Sequence, residues 1–317
     1  MLAVVADWVT YSLLSLTPHS LFAGAVNFFI YDSLKIVLLL MIIIFAISIV
    51  RSFLPPEKIR SILSHEKQYT GNLLAALLGI VTPFCSCSAV PLFLGFLRAG
   101  IPLGVTFSFL VASPMINEVA LVLLVGLFGW RIALLYVVSG LAIAIVSGIV
   151  IGKLRVENLL KDFVFANKGA APEFSRDMSW NDRIQYARGY TLEILKKVWL
   201  YILFGVGVGA WIHGYVPANF LAAYAGGSTW YAVPLATLIG IPLYSNAAGV
   251  IPLVSALTEK GVAMGTTLSF MMAVTALSLP EFMILKTVMK TKLIVLFAGI
   301  VGLGIMFTGY MFNLILK

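Results

Sequence analysis

The sequence predicts an all-α polytopic membrane protein of two inverted repeats. Each repeat has about three spans plus a re-entrant helical hairpin, with broken helices meeting at the midplane. Three observations predict this. Of 317 residues, 61% are hydrophobic and only 11% charged, against about 25% charged in a soluble domain, so the chain cannot cover a surface with polar groups. Its apolar runs are long and continuous, which selects helices over the short alternating segments of a β-barrel. The second half also repeats the first. At a shift of 161, Gly79, Ile80, Pro91, Leu92, Gly100, Gly104, Thr106, Ser108, Phe109 and Ala112 fall on identical residues, from Gly240 to Ala273. Glycines and a proline that recur beside matching breaks in the apolar runs mark an internal repeat rather than shared composition.

Residues 1–32 are short apolar pieces interrupted by Asp7, Pro18 and His19, an expected interfacial segment outside the main bundle. They lack the basic start and small-residue cleavage site of a signal peptide, so they are expected in the mature protein. Residues 33–152 form the first repeat. Its first span covers 33–53, since about 20 apolar residues cross the hydrocarbon core. The loop 54–69 is polar and basic. Residues 70–82 and 88–98 are each too short to cross, and together they read as a hairpin with "PFCSCS" at its tip. Residues 102–128 can cross but are interrupted by "SPMINE" at 113–118, and 131–152 cross cleanly.

Residues 153–190 are a basic linker, too short to bury a core of their own. The second repeat, 191–317, begins with a span over 191–213 and a segment, 214–228, without Lys, Arg, Asp or Glu. A second hairpin pairs 229–241 with 248–258 around "PLYSNAA". Residues 262–285 cross with an interruption at "SLPE" (278–281), and 292–315 cross.

The net charge of +8 sits in a few loops. That is the distribution of cytoplasmic loops, not of a nucleic-acid-binding surface. Loops 54–69, 153–190 and 286–292 are therefore expected in the cytoplasm and 214–228 outside. Three crossings per half satisfy every loop, put both termini outside and invert one half relative to the other. Many secondary transporters share this construction, with their sites where broken helices meet.

Four breaks then converge, and backbone outside helices survives at membrane depth only beside protein or water. A polar cavity between the halves is the consequence. The chain's two cysteines, Cys85 and Cys87, fall on the first hairpin tip, alternating with Ser86 and Ser88. A bond between cysteines two apart would be strained, so free thiols are expected. Cysteine can serve merely as a small packing residue. At a hydrogen-bonding tip it also offers a soft ligand for thiophilic centres. The opposite tip offers Tyr244 and Asn246, and the second break Ser113 and Asn117. Glu118 and Glu281 are the acids placed deepest in the membrane, where a carboxyl is either a cross-helix structural partner or a proton-coupling group. The histidines His19, His65 and His213 are scattered, so no metal site, cofactor or enzymatic activity is expected. The sequence has no phosphate-binding GxxxxGK[ST] loop, so ATP is not the direct energy source.

The run "TPFCSCSAVPLFLGFLRAGIPLGVTFSFLVASPMINE" (82–118) resembles the ArsP-like family of predicted permeases, which includes organoarsenical efflux permeases. The resemblance implies export of trivalent organoarsenicals such as methylarsenite across the cytoplasmic membrane of a prokaryote, with Cys85 and Cys87 matching the family's C-S-C element. The bilayer, the solute and protons would be its partners. Two other readings stay open: a membrane thiol-redox protein, and a channel or permease for another small solute or a metal ion.

Overall fold

The computed structural model describes residues 2–17, 20–53, 68–81, 86–116, 118–161, 179–215, 230–243, 250, 254–255, 257–258 and 261–316. A short helix α1 (Leu2–Asp7) passes into a π-helical turn, Trp8–Leu13, ahead of the long helix α2 (Leu21–Phe53). Then follow α3 (Gln68–Val81), α4 (Ser86–Arg98), α5 (Leu103–Met115), α6 (Glu118–Phe128) and α7 (Trp130–Lys153). The second half contains α8 (Trp180–Tyr215), α9 (Ala232–Gly240), α10 (Met264–Ala276), α11 (Leu279–Leu285) and α12 (Thr291–Ile315). Among the described residues, four stretches are long and apolar enough to cross a membrane, and five if the bent pair α5–α6 is one span.

Two boundaries depart from the sequence expectation. The first span starts at Leu21, within the segment expected to lie at the interface. Its polar residues do not end the helix because α1 folds back on it: Asn27 Nδ2 donates to Asp7 Oδ1 at 2.8 Å. The helix expected from 191 starts at Trp180, so the last eleven linker residues are helical. Ser179 and Asp182 start it as a reciprocal cap. The Ser179 hydroxyl accepts from the Asp182 amide at 3.3 Å, and Asp182 Oδ2 accepts from the Ser179 amide at 3.2 Å, satisfying donors a helix start leaves open.

The 161-residue repeat extends to the structure. α5 and α10 start and stop at equivalent residues, 103 with 264 and 115 with 276. α5 packs between α3 and α7, as α10 packs between α9 and α12. The turns before α5 and α10 also match. Gly100 donates to Leu97 O and Ile101 to Phe96 O, both at 3.0 Å, while Gly261 donates to Thr258 O at 2.9 Å and Val262 to Leu257 O at 3.1 Å. This double bond pattern closes a helix on a left-handed residue, which glycine adopts without a Cβ penalty. Both glycines have positive φ, 80° and 82°.

Two pairs of equivalent helices, α2 with α8 and α7 with α12, bring opposite ends together. The ring of Phe29, near the start of α2, faces Gly207, near the end of α8. Ile143 of α7 meets Gly304 of α12, and the segment after α7 pairs with the one before α12 through the Leu160–Met289 bridge. Lys161 N donates to Val288 O at 3.0 Å and Lys290 N to Leu159 O at 2.9 Å. The contact therefore runs from the end of one helix to the start of its equivalent.

Candidate functional site

Helix α5 breaks because Pro114, near its end, has no amide hydrogen to continue the ladder. Ile116 then turns extended, at φ −120° and ψ 94°, and α6 leaves at a bend of 49°. α10 breaks at the equivalent place. Leu277 closes it, Ser278 is extended, and Pro280 lies in the first turn of α11, where the missing amide hydrogen costs nothing.

The two breaks meet at Tyr136 of α7. This fully buried side chain donates its hydroxyl to the Met115 carbonyl at 2.9 Å, at the end of α5. The same hydroxyl meets the Thr275 side chain, at the end of α10 in the other half. A buried phenol needs such partners, and the freed carbonyls of a helix end need donors. The third break joins them, since the Leu279 amide, which starts α11, donates to Ile241 O at 2.9 Å, just past the end of α9.

Around these ends the described polar side chains are shut away from solvent. Ser113, Ser278 and Glu281 are buried, Glu281 to 0% exposure. Glu281 occupies the first turn of α11, where a carboxylate is favoured by the amides pointing at it. One residue on, the Phe282 ring sits edge-on to Phe297 of α12 at 6.5 Å, and Phe297 lies 5.6 Å from Phe107 of α5. Phe107 in turn meets Phe93 of α4 edge-on at 5.2 Å. These four rings join the two halves, and offset and edge contacts add to the stabilisation from area burial.

The sequence-expected site residues are placed to different degrees. Cys85, Asn117, Tyr244 and Asn246 lie outside the described residues. Ser86, Cys87 and Ser88 are the first residues of α4, and Glu118 is the first of α6, with backbone alone described. α4 packs against α11, so the helix that starts at the serine–cysteine run lies against the one that carries Glu281. Glu118 and Glu281 both fall in the first turn after a break, but not at equivalent positions: Glu118 aligns with Leu279, and Glu281 with Ala120. Among the described residues no group of three His, Cys, Asp or Glu side chains could hold a metal.

Sequence reasoning missed Tyr136 and Thr275. The signal available was a tyrosine inside an otherwise apolar span, where the repeat has Phe297.

A family model described as a predicted permease, ArsP_1, matches residues 21–314. The chain belongs to this permease family. A UPF0718 protein of Methanocaldococcus jannaschii is 24% identical over 310 residues, covering 80% of this chain and 85% of its own. A Streptococcus mutans protein named "Putative two-component membrane permease complex subunit" is 28% identical over 258 residues, 79% of each chain. The UPF0718 protein YraQ of Escherichia coli is 22% identical over 75% of this chain and 66% of its own. No solved structure matches this chain. For an ArsP_1 permease, a multi-pass membrane bundle that carries a solute is the coarse function, and transport rather than catalysis is the activity the family description names.

Proposed function

We propose that the protein is a secondary transporter exporting trivalent organoarsenicals, or another solute with a thiol-seeking centre, through the cytoplasmic membrane of a prokaryotic cell. In this reading 33–152 and 191–317 are inverted repeats, 153–190 is a cytoplasmic linker, and both termini are extracytoplasmic. The observation that carries it is the convergence of the two broken helices on Tyr136, in halves where two pairs of equivalent helices bring opposite ends together. A two-fold axis in the membrane plane produces that arrangement, and broken helices in it frame a solute site. Each of α5 and α10 runs 13 residues before its break, about 20 Å at 1.5 Å per residue. In a core about 30 Å thick, the two breaks then flank the midplane from opposite sides.

The substrate class follows from the C-S-C element. A monosubstituted As(III) centre accepts two sulfur ligands, and Cys85 and Cys87 supply two thiolates. Ser86, Ser88, Ser113, Asn117, Tyr244 and Asn246 would complete the polar lining. Glu118 and Glu281 would carry the coupling protons, loading as the cavity opens to one side and releasing at the other.

The test is a flux panel in vesicles holding the purified chain. Methylarsenite and a neutral solute without a thiol-seeking centre are compared, with and without a proton gradient. Selective, gradient-dependent movement of methylarsenite is expected. Equal, gradient-independent movement of both would leave a channel.

The name of the Streptococcus mutans relative supports a second reading of the assembly, in which this chain is one subunit of a two-component permease. Vesicles holding this chain alone would then be inactive until a second membrane protein is added.

A further inference from the structure

We propose that Tyr136 and Phe297 are the paired gates of the transport cycle, a hydrogen-bonded latch at one end of the cavity and an aromatic seal at the other. The inference rests on the transporter reading above. The two residues are equivalent in the repeat, 136 and 297 being 161 apart. Each lies six residues past the first residue of its half's last helix, α7 from Trp130 and α12 from Thr291. With the halves inverted, those starts lie at opposite faces, so the two side chains sit about 10 Å below opposite surfaces. A core of about 30 Å leaves a central third between them, and the two breaks lie at its edges, that of α5 beside Tyr136 and that of α10, with Ser278 and Glu281, toward Phe297.

Both side chains are fully buried, and both bridge the halves. They close by different chemistry. Tyr136 donates to the Met115 carbonyl, closing the end of α5, and its hydroxyl lies beside the Thr275 side chain at the end of α10. Phe297 has no hydroxyl and packs against Phe107 of the other half and Phe282 of its own. Opening at Tyr136 requires exchanging a directional hydrogen bond for water or solute. Opening at Phe297 requires separating apolar rings, which water does not reward. The two ends therefore open with different ease, which gives a pseudo-symmetric machine a preferred resting state. In the orientation proposed above, Tyr136 closes the extracytoplasmic end and Phe297 the cytoplasmic end.

The test places one reporter thiol at the buried break, Ser278→Cys, in a chain carrying Cys85→Ser and Cys87→Ser. Vesicles of known sidedness are treated with a membrane-impermeant maleimide from either side. Methylarsenite flux is measured in parallel in chains that keep both native thiols. Tyr136→Phe, which removes one oxygen and keeps the ring, is expected to raise labelling at least fivefold from the extracytoplasmic side only. Phe297→Leu is expected to raise it at least fivefold from the cytoplasmic side only. Thr275→Val, which leaves the Tyr136–Met115 bond in place, should act on the same side as Tyr136→Phe but less strongly, so the proposal stays testable if one variant does not fold. A rise from both sides is general loosening and overturns the gates, as does unchanged labelling in all three variants. Either result beside intact methylarsenite flux leaves the transporter reading standing. Absence of labelling in every variant overturns the gates whatever the flux, and absence of flux from the native chain removes as well the reading in which this chain transports by itself.

Discussion

Gly104 and Gly148 cross so closely that the Gly148 carbonyl oxygen occupies the space a side chain on Gly104 would need, and the contact recurs 161 residues on between Gly265 and Gly309. The Ser108 hydroxyl fills the corresponding space over Gly148, as Ser269 does over Gly309. Without a hydrophobic driving force between helices in lipid, close backbone approach is what holds such pairs together.

Gly104→Ala and Gly265→Ala should therefore each destabilise the bundle by about 3 kcal/mol, the upper part of the range for overpacking, because the added methyl meets backbone that has to move. Gly126→Ala and Gly299→Ala, where an added methyl meets nothing within 4 Å, should be neutral. Thermal denaturation in detergent, followed by size-exclusion, separates the two pairs.

Asn313 of α12 caps the start of α10 from outside: its Oδ1 accepts from the Thr266 amide at 3.2 Å and its Nδ2 donates to the Thr266 hydroxyl at 3.1 Å. The repeat has Gly152 at this position, so the cap belongs to one half alone. Asn313→Ala should cost about 1 kcal/mol, the usual value of a lost N-cap, while Gly152→Asn should not add that amount to the first half. The same denaturation assay reads both.

The proposed inversion of the halves makes a labelling prediction. In a chain without native cysteines, single cysteines at the exposed positions Glu157 and Lys286 should react only from the cytoplasm. Those at Trp130 and Trp230, 65% and 78% exposed, should react only from outside. Tyr310, in the last turns of α12, donates to the Trp230 carbonyl, so the end of the chain shares a face with Trp230. Labelling of Glu157 and Trp230 from the same side would overturn the inverted arrangement.

Glu281→Gln keeps the volume and some hydrogen bonding of a buried side chain but cannot carry a proton. Transport should lose its dependence on a proton gradient and fall at least tenfold, with the folded fraction unchanged. If the variant instead keeps gradient-driven flux, the carboxyl is structural.

The sequence was most informative where its chemistry is local. The breaks at "SPMINE" and "SLPE" were visible because Pro114 and Pro280 act on their own turns, and the observed ends at Met115 and Ala276 fall within or just before those motifs. The repeat was visible because glycines at close contacts tolerate no replacement. The start of α2 was hidden because Asn27 is satisfied by Asp7, twenty residues away. The start of α8 could have been read from the Ser179–Asp182 spacing, a capping pattern, but the basic charge of the segment suggested a linker. Tyr136 was hidden for a different reason: nothing near it in sequence shows that its hydroxyl reaches two helix ends.

The most direct test of the account is methylarsenite flux through vesicles holding the wild-type chain, Cys85→Ser or Cys87→Ser, under one imposed proton gradient. If arsenic passes by exchange onto paired thiols between two inverted halves, each single variant moves it at least tenfold more slowly than wild type while folding equally well. Wild-type rates in both would contradict that route.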